Sequence, residues 1–345
     1  MDKQPTDGIL EEFRIEFLKC WNRLPNKAFF FVLFGAWLLL FQILGNSTFG
    51  YVRTPSLLAW LYNAYNPPVE VADIDDSFGA VVPFVVLGLF WWKREKLLAL
   101  DIKTWWPSLL FIVLGLVVHA LGYVIQQPKV SVLGLFIGIY GLMGLAWGPA
   151  FLRESFFPFC LFVFAVPLGS QAQPITFRLR VLVCQLSEWV CHYALAIDVI
   201  RNGTALKDPT DHYQYEVAAA CSGIRSLTSI SLMAIVYSLV AFRPWWKRVV
   251  MIASAVPLAI VGNLLRMLTI VIAAEFGGQE MGNKVHESTV LGIIPYIPAI
   301  LGLFTLGHFL EGKEKKRSNL ERPKSESKRE DQTAATVALP KEAQI

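Results

Sequence analysis

Cys221 has the sequence surroundings of a reactive thiol. It lies in the string Ala-Ala-Ala-Cys-Ser-Gly-Ile-Arg, about one turn inside the start of a long apolar segment. The partial positive charge of a helix N-terminus favours the thiolate, and so does the guanidinium of Arg225, four residues on and on the same helical face. Ser222 and Gly223 are small, which lets a peptide backbone approach. The other interpretation is a cysteine packed in the core.

Arg266 is a second candidate because it lies in the apolar string Gly-Asn-Leu-Leu-Arg-Met-Leu-Thr. An arginine at the centre of a membrane helix costs about 2.5–3.5 kcal/mol on insertion scales, so such a residue is a functional candidate by default. Asn263 is one turn earlier on the same face, and the pair could present several donors to an oxygen atom. The other interpretation is an arginine that reaches out to lipid head groups.

His286 is the third candidate, in what we expect to be a short loop before the last apolar segment. A general base must be able to reach the nucleophile, and this imidazole comes to the same end of the molecule as Cys221 and Arg266. His192 and His212 belong to the same outer region and are minor candidates.

These side chains can meet only if the apolar segments cross a membrane as helices, each of which needs about 20 residues. The sequence predicts an all-α, polytopic membrane helix bundle of about eight spans. Residues 1–27 form a cytoplasmic N-terminal segment, 28–312 the transmembrane domain, and 313–345 a disordered, charged cytoplasmic tail. The expected spans are 28–45, 79–92, 107–125, 131–149, 155–168, 217–242, 249–275 and 289–310.

One segment between the spans differs in composition. Residues 178–199 mix charged and apolar residues at helical spacing, which predicts a small extracytoplasmic helix lying in the outer membrane interface. Residues 200–216 have turn chemistry and predict a short hairpin.

The distribution of Lys and Arg predicts the orientation. If 178–199 does not cross, 22 of the 31 basic residues fall at one end of the bundle and seven in the loops at the other. We expect the richer end, with both termini, in the cytoplasm. In this topology Cys221, Arg266 and His286 all reach the outer boundary of the membrane.

Composition excludes several classes of protein. The 345 residues are 54% hydrophobic and only 17% charged, with a mean hydropathy of +0.48, which excludes a soluble enzyme and a disordered protein. The net charge of +4 is better explained by membrane topology than by nucleic-acid binding. The five cysteines include no CxxC pair, so we expect no structural metal and no cofactor; Cys160 and Cys184 are expected to be packed core cysteines.

Together, the Cys221-Ser-Gly-Ile-Arg string, the Asn263-Leu-Leu-Arg string and His286 before a final span resemble the exosortase/archaeosortase family. The resemblance covers about 130–310. It implies a multi-pass cysteine protease or transpeptidase with Cys221 as nucleophile and Arg266 and His286 as its partners. Arg225, Asn263 and Ser222 are secondary candidates.

The resemblance also implies a substrate and a location. Substrates would be membrane-anchored proteins with a C-terminal sorting signal, made of a Pro-Glu-Pro-like motif, a membrane helix and a basic end. The enzyme would lie in the cytoplasmic (inner) membrane with its site facing the periplasm. Members often occur beside exopolysaccharide genes, and the oligomeric state stays open.

Two alternatives remain at this point. The first is a non-enzymatic component of exopolysaccharide transport or assembly, in which Arg225 and Arg266 would bind an anionic sugar phosphate or lipid. The second is a serine-based intramembrane protease that uses Ser222 or Ser226 with His286.

Overall fold

The computed structural model describes residues 5–46, 54–66, 76–168, 173–216, 223–288, 291 and 294–321. Within these ranges the protein has twelve α-helices and one small sheet, as expected for a polytopic helical membrane protein. The helices are α1 (Pro5–Arg23), α2 (Lys27–Leu44), α3 (Leu57–Tyr65), α4 (Val82–Trp92), α5 (Arg94–Leu98), α6 (Leu109–Val124), α7 (Pro128–Trp147), α8 (Pro149–Cys160), α9 (Gln173–Val190), α10 (Gly223–Ala241), α11 (Trp245–Glu287) and α12 (Ile297–Glu321).

The spans follow the apolar segments. Five helices are long and apolar enough to cross a membrane, and two shorter apolar helices accompany them. They correspond to seven of the eight predicted spans, within a few residues wherever both ends are described, except that α11 runs on well past the predicted end at 275. The long ones are Lys27–Leu44, Trp106–Val124, Pro128–Trp147, Trp245–Glu287 and Ile294–Glu311, and the shorter ones are Ser77–Trp92 and Ser226–Ala241.

The remaining predicted span, 155–168, has a different form. Helix α8 begins earlier, at Pro149, and the chain continues as a 3₁₀ helix over Leu161–Ala165. Pro158 lies inside α8 and cannot donate a backbone hydrogen bond, which favours a change of helix type nearby.

Both chain ends contain helices. Residues 5–23, within the predicted cytoplasmic N-terminal segment, form helix α1. Helix α12 continues to Glu321, so the predicted start of the tail at residue 313 falls inside a helix. Residues 322–345, where we expect disorder, lie outside the described residues.

The region predicted to lie in the outer interface, 178–216, is a helix followed by a sheet. Helix α9 covers most of the predicted interfacial segment, and a π-helical turn, Cys191–Leu195, ends it. The predicted hairpin is present with a third strand added: β1 (Ile200–Asn202), β2 (Ala205–Lys207) and β3 (Gln214–Glu216) form an antiparallel sheet in the order β1-β2-β3.

Helices α6 and α7 pack through glycine. A methyl group built on Gly115 would lie 2.8 Å from the backbone O of Gly134 and 2.8 Å from the backbone N of Gly138. Small residues let membrane helices approach closely, and dispersion contacts replace the hydrophobic effect that lipid does not provide. The opposite face of α6 carries side chains exposed for contact with lipid, such as Leu110 and Val124.

We therefore predict that Gly115→Ala lowers the free energy of unfolding by about 1–3 kcal/mol, because the added methyl group meets backbone atoms that cannot rotate away. The measurement is the unfolding midpoint of purified protein in detergent. Gly88→Ala is the matched control, since a methyl group there has nothing within 4 Å. Equal midpoints for the two variants would contradict close packing of α6 on α7.

Candidate active site

Helix α11 reverses direction near its end. Its 43 residues would extend about 65 Å if straight, about twice the hydrocarbon thickness. The helical geometry breaks at Gly277 (φ −134°, ψ 15°) and Gly278 (φ 69°, ψ −175°), and the second of these conformations is essentially restricted to glycine. A carbon built on Gly282 would lie 3.0 Å from Cβ of Ala274, a contact that a straight helix could not make. We call residues 279–287 the return helix; it is polar, and we place it outside the membrane-spanning part.

The return helix brings His286 to Arg266. Val285 packs against a buried cluster that includes Met267, Leu268 and Val271, so the return helix runs back along α11. Burial lowers the pKa of His286 below its ordinary value, and the positive charge of Arg266 lowers it further, while Glu287 acts in the opposite direction. Our expectation that His286 lies in a loop was wrong, but the structure does bring it together with Arg266.

The guanidinium of Arg266 has a buried hydrogen-bond donor, its Nε atom, whose environment is unusual. Its Nε is buried and has no hydrogen-bond partner among the described residues. A buried donor without a partner is costly, so it indicates a position made for an acceptor that the described residues do not supply. A developing negative oxygen is such an acceptor.

Asn263 joins three helices rather than pairing with Arg266 toward a ligand. Its Nδ2 donates to Oγ of Ser226 at 2.9 Å, and Ser226 Oγ lies 3.1 Å from its Oδ1. The same Oδ1 accepts a hydrogen bond from the hydroxyl of Tyr296 at 2.8 Å. Asn263 thus ties α10 and the start of α12 to α11, one turn before Arg266. Sequence reasoning missed Tyr296, whose Ile-Pro-Tyr-Ile-Pro context carries no catalytic signal.

Strand β3 is bound to the return helix. The backbone N–H of Gln214 donates to Oε1 of Gln279 at 2.8 Å, and the hydroxyl of Tyr215 donates to the backbone O of Gln279 at 2.8 Å. Tyr213 donates to Glu275 Oε2 at 3.0 Å, just before the break. Both tyrosines are buried, so this end of the sheet is fixed on the helix reversal that positions His286.

Three predicted site residues fall partly or wholly outside the described structure. Cys221 and Ser222 lie in the segment 217–222, between β3 and α10, which is outside the described residues. The backbone of Arg225 is described as part of α10, but its side chain is not. Their roles therefore stay predictions.

The four described cysteines are free, and they differ in environment. Cys184 is buried, as predicted, whereas Cys160 is exposed on α8, so our expectation of core packing there was wrong. Burial and the carboxylate of Glu275 raise the pKa of Cys191 to about 11, which keeps that thiol protonated and unreactive.

The minor candidates belong to the outer surface. His192 lies 3.2 Å from Asp198, and His212 lies 3.3 Å from Asp208 next to Thr210; both rings are exposed. Among the described residues, no three His, Cys, Asp or Glu side chains gather closely enough to hold a metal ion.

The fold and the site thus define a polytopic membrane protein with an arginine and a histidine held together at one end of its helix bundle. Comparison with protein families matches residues 71–305 to Transmembrane exosortase (Exosortase_EpsH). This match covers about two thirds of the chain, and the chain belongs to that family of cysteine transpeptidase-like membrane enzymes. No curated protein and no solved structure matches it.

The charges next to His286 predict that two neutralising substitutions shift the pKa of His286 in opposite directions. Arg266→Gln removes a positive charge and is expected to raise the pKa of His286, whereas Glu287→Gln removes a negative charge and is expected to lower it. The pKa is measured by NMR titration of ¹³C-labelled histidine in detergent-solubilised protein, with the resonance assigned by its loss in His286→Gln.

Arg153→Gln is the control for this titration, because it removes a charge from the opposite end of the bundle and should leave the pKa of His286 unchanged. Shifts of the same sign in Arg266→Gln and Glu287→Gln would contradict the proximity of the three groups.

Proposed function

We propose that this enzyme cleaves the C-terminal sorting signal of membrane-anchored, exported proteins at the outer face of the cytoplasmic membrane, with Cys221 as the nucleophile. The observation that carries the proposal is the reversal of α11, which brings an imidazole of lowered pKa next to an arginine whose buried Nε has no partner among the described residues.

The described neighbours of Cys221 support its place in this site. The segment 217–222 is only six residues long and connects β3 to α10. On one side Tyr215 is bound to the return helix, and on the other Ser226 is bound to Asn263, one turn from Arg266. Because an extended chain covers at most about 3.6 Å per residue, Cys221 is tethered within about 20 Å of both anchors.

The first half of the reaction is an acyl transfer. The thiolate of Cys221 attacks the carbonyl carbon of the scissile peptide bond, and the guanidinium of Arg266 stabilises the oxyanion. The C–N bond then breaks, and the protonated imidazole of His286 gives its proton to the leaving amine, which leaves a thioester. In the second half His286 takes a proton from water or from an acceptor amine as it attacks the thioester carbonyl. The C–S bond then breaks, and His286 returns the proton to the leaving thiolate, which regenerates the thiol.

The lowered pKa of His286 suits this role. At neutral pH the imidazole is mostly neutral, so it can take the proton of the Cys221 thiol or of the acceptor before it serves as an acid. The substrate's own membrane helix would hold the signal at a fixed depth, which lowers the entropic cost of positioning the scissile bond.

The distribution of charge supports the proposed orientation. Lys93, Lys96, Arg153 and Arg248 gather at the end of the bundle opposite to the return helix, close to α1, which is bound there through Arg94 and Glu16. That end is the one we assign to the cytoplasm, which leaves His286 and Arg266 at the outer boundary.

Family membership decides between an enzyme and the non-enzymatic alternative in favour of the enzyme. The serine-based alternative receives little support at Ser226, because its hydroxyl is buried and bound to Asn263.

The decisive variant is Cys221→Ala. We expect processing of a reporter protein that ends in a sorting signal of the same genome to slow by about a thousandfold or more, the scale of losing a nucleophile. The measurement is the change in reporter size on immunoblots over time. Cys160→Ala is the matched control, because it removes an exposed thiol elsewhere and should process at the normal rate.

Alkylation of the membrane-embedded enzyme with a maleimide should also stop processing, and it should do so in the Cys160→Ala variant as well. Full processing by Cys221→Ala or by the alkylated enzyme would refute the thiol mechanism and favour a serine nucleophile.

The bridge at Asn263 predicts a positioning role for Tyr296. Tyr296→Phe removes one hydrogen bond, worth about 1 kcal/mol in stability, and loosens the link between α12 and the helix that carries Arg266. We expect kcat to fall several-fold with little change in KM.

Tyr237→Phe is the matched control, since it also removes a tyrosine hydroxyl bonded to a side chain, Glu311, but between α10 and the part of α12 far from Tyr296. A similar loss of kcat in both variants would show that Tyr296 acts through general stability and not through the site.

A further inference from the structure

A cavity of about 540 Å³ lies at the end of the bundle opposite to the candidate active site. It opens between the α4–α5 junction, helix α8, and the junction of α10 with α11. About 28 residues of α11 separate Arg248, on its wall, from the helix break, which is about 40 Å of helix. The cavity is thus separate from the site built around Arg266 and His286.

The polar part of this cavity has an excess of positive charge. Four cations line it, Lys93, Lys96, Arg153 and Arg248, with a single carboxylate, Glu154. Both lysines form salt bridges with Glu154: Lys93 Nζ lies 2.7 Å from its Oε1, and Lys96 Nζ lies 2.7 Å from its Oε2.

Neither arginine has an acidic partner in the part of the chain that the structure describes. Arg248 donates its Nε to the backbone O of Phe242 at 2.8 Å, a neutral acceptor. Arg153 makes no hydrogen bond or ion pair with any described residue, although its neighbour Glu154 is fully engaged by the lysines. Two guanidinium groups therefore line a cavity whose one lining carboxylate is already paired with two lysines, and this excess of positive charge predicts an anionic ligand.

The rest of the wall is apolar. It includes Trp92, Phe157 and Leu239, and the side chains of the first two are 51% and 53% exposed. Tryptophan is typical of the membrane–water interface. A free phosphate ion would use only the cationic side of such a cavity, whereas a molecule with a phosphate and an acyl chain would cover both sides.

We propose that this cavity binds one anionic glycerophospholipid of the surrounding leaflet. Its phosphate lies between Arg153 and Arg248, and an acyl chain runs along Trp92 and Phe157. A cavity of 540 Å³ holds a head group and the beginning of the chains, and the remaining chain lies in the bilayer. Basic pockets between membrane helices bind anionic head groups in this way.

The bound lipid would connect two parts of the bundle. Lys93 and Glu154 belong to the side formed by α4, α5 and α8, and Arg248 belongs to α11. A phosphate between Arg153 and Arg248 would link these two sides at the end of the molecule where the long helix that carries Arg266 begins.

The test is native mass spectrometry of the full chain released from nanodiscs that contain equal amounts of dioleoyl phosphatidylglycerol and dioleoyl phosphatidylcholine. We expect one phosphatidylglycerol to stay bound to the wild type. In the double variant Arg153→Gln/Arg248→Gln its affinity should fall about thirtyfold, which corresponds to about 1 kcal/mol per charge.

Two variants keep this test clear of folding effects. Arg153→Gln alone removes a guanidinium without any bond to the described chain, so a loss of lipid with an unchanged unfolding midpoint supports the proposal. Lys103→Gln is the matched charge control, because Lys103 is exposed and paired only with Asp101; it should retain the lipid.

The apolar wall distinguishes a lipid from a free anion. Trp92→Ala/Phe157→Ala should weaken phosphatidylglycerol binding, and inorganic phosphate at millimolar concentration should not displace the lipid. Equal retention of the two lipids, wild-type binding by the double arginine variant, or full displacement by inorganic phosphate would each overturn the proposal.

Discussion

The arrangement of the site depends on one change of direction in the backbone. At Gly278 the chain adopts φ 69° and ψ −175°, and the polar end of α11 folds back along the apolar part. Without this reversal His286 would lie about 30 Å beyond Arg266 along one straight helix. With it, Gly282 packs on Ala274, and the side chains of Arg266 and His286 interact. A residue with a Cβ could not hold this conformation without strain.

The reversal is held by contacts that extend well beyond the two glycines. Strand β3 binds Gln279 through both backbone and side-chain groups, and the buried ring of Tyr215 fills the space next to Gly282. The sheet therefore acts as a clamp on the return helix. The segment that follows β3 in the chain contains Cys221, the nucleophile that we propose.

At the site, Arg266 acts through its charge, and Asn263 acts through hydrogen bonds between helices. The Nε donor of Arg266 is buried, and the charge of Arg266 lowers the pKa of His286. The side-chain amide of Asn263 instead forms hydrogen bonds with Ser226 and Tyr296. The hydrogen bonds of Asn263 fix α11 one turn from Arg266. They help to hold the guanidinium in apolar surroundings, because without such support it would move toward water. At the opposite end of the bundle, several cations and several apolar side chains line a cavity.

The class of the protein and the course of its membrane helices follow from the amino-acid sequence, because long apolar segments have few alternatives to spanning as helices. The sequence also indicates Arg266 and His286 as candidates, since such side chains are rare near apolar segments without a function. How these two side chains meet follows from helix packing and not from the sequence around them. The run of polar residues after Gly278 has the composition of a loop as well as of a short helix, and nothing local to it specifies the contact with Ala274.

The same distinction applies to Tyr296, Arg153 and Arg248. Each is an ordinary residue type at a helix end, and the sequence around it indicates only a membrane boundary. Tyr296 becomes part of the site because α12 packs on Gly262 and Asn263, and the two arginines become a pair because α8 and α11 enclose one cavity. Contacts between residues far apart in the chain depend on helix packing, which is set by the whole bundle and not by any segment of it.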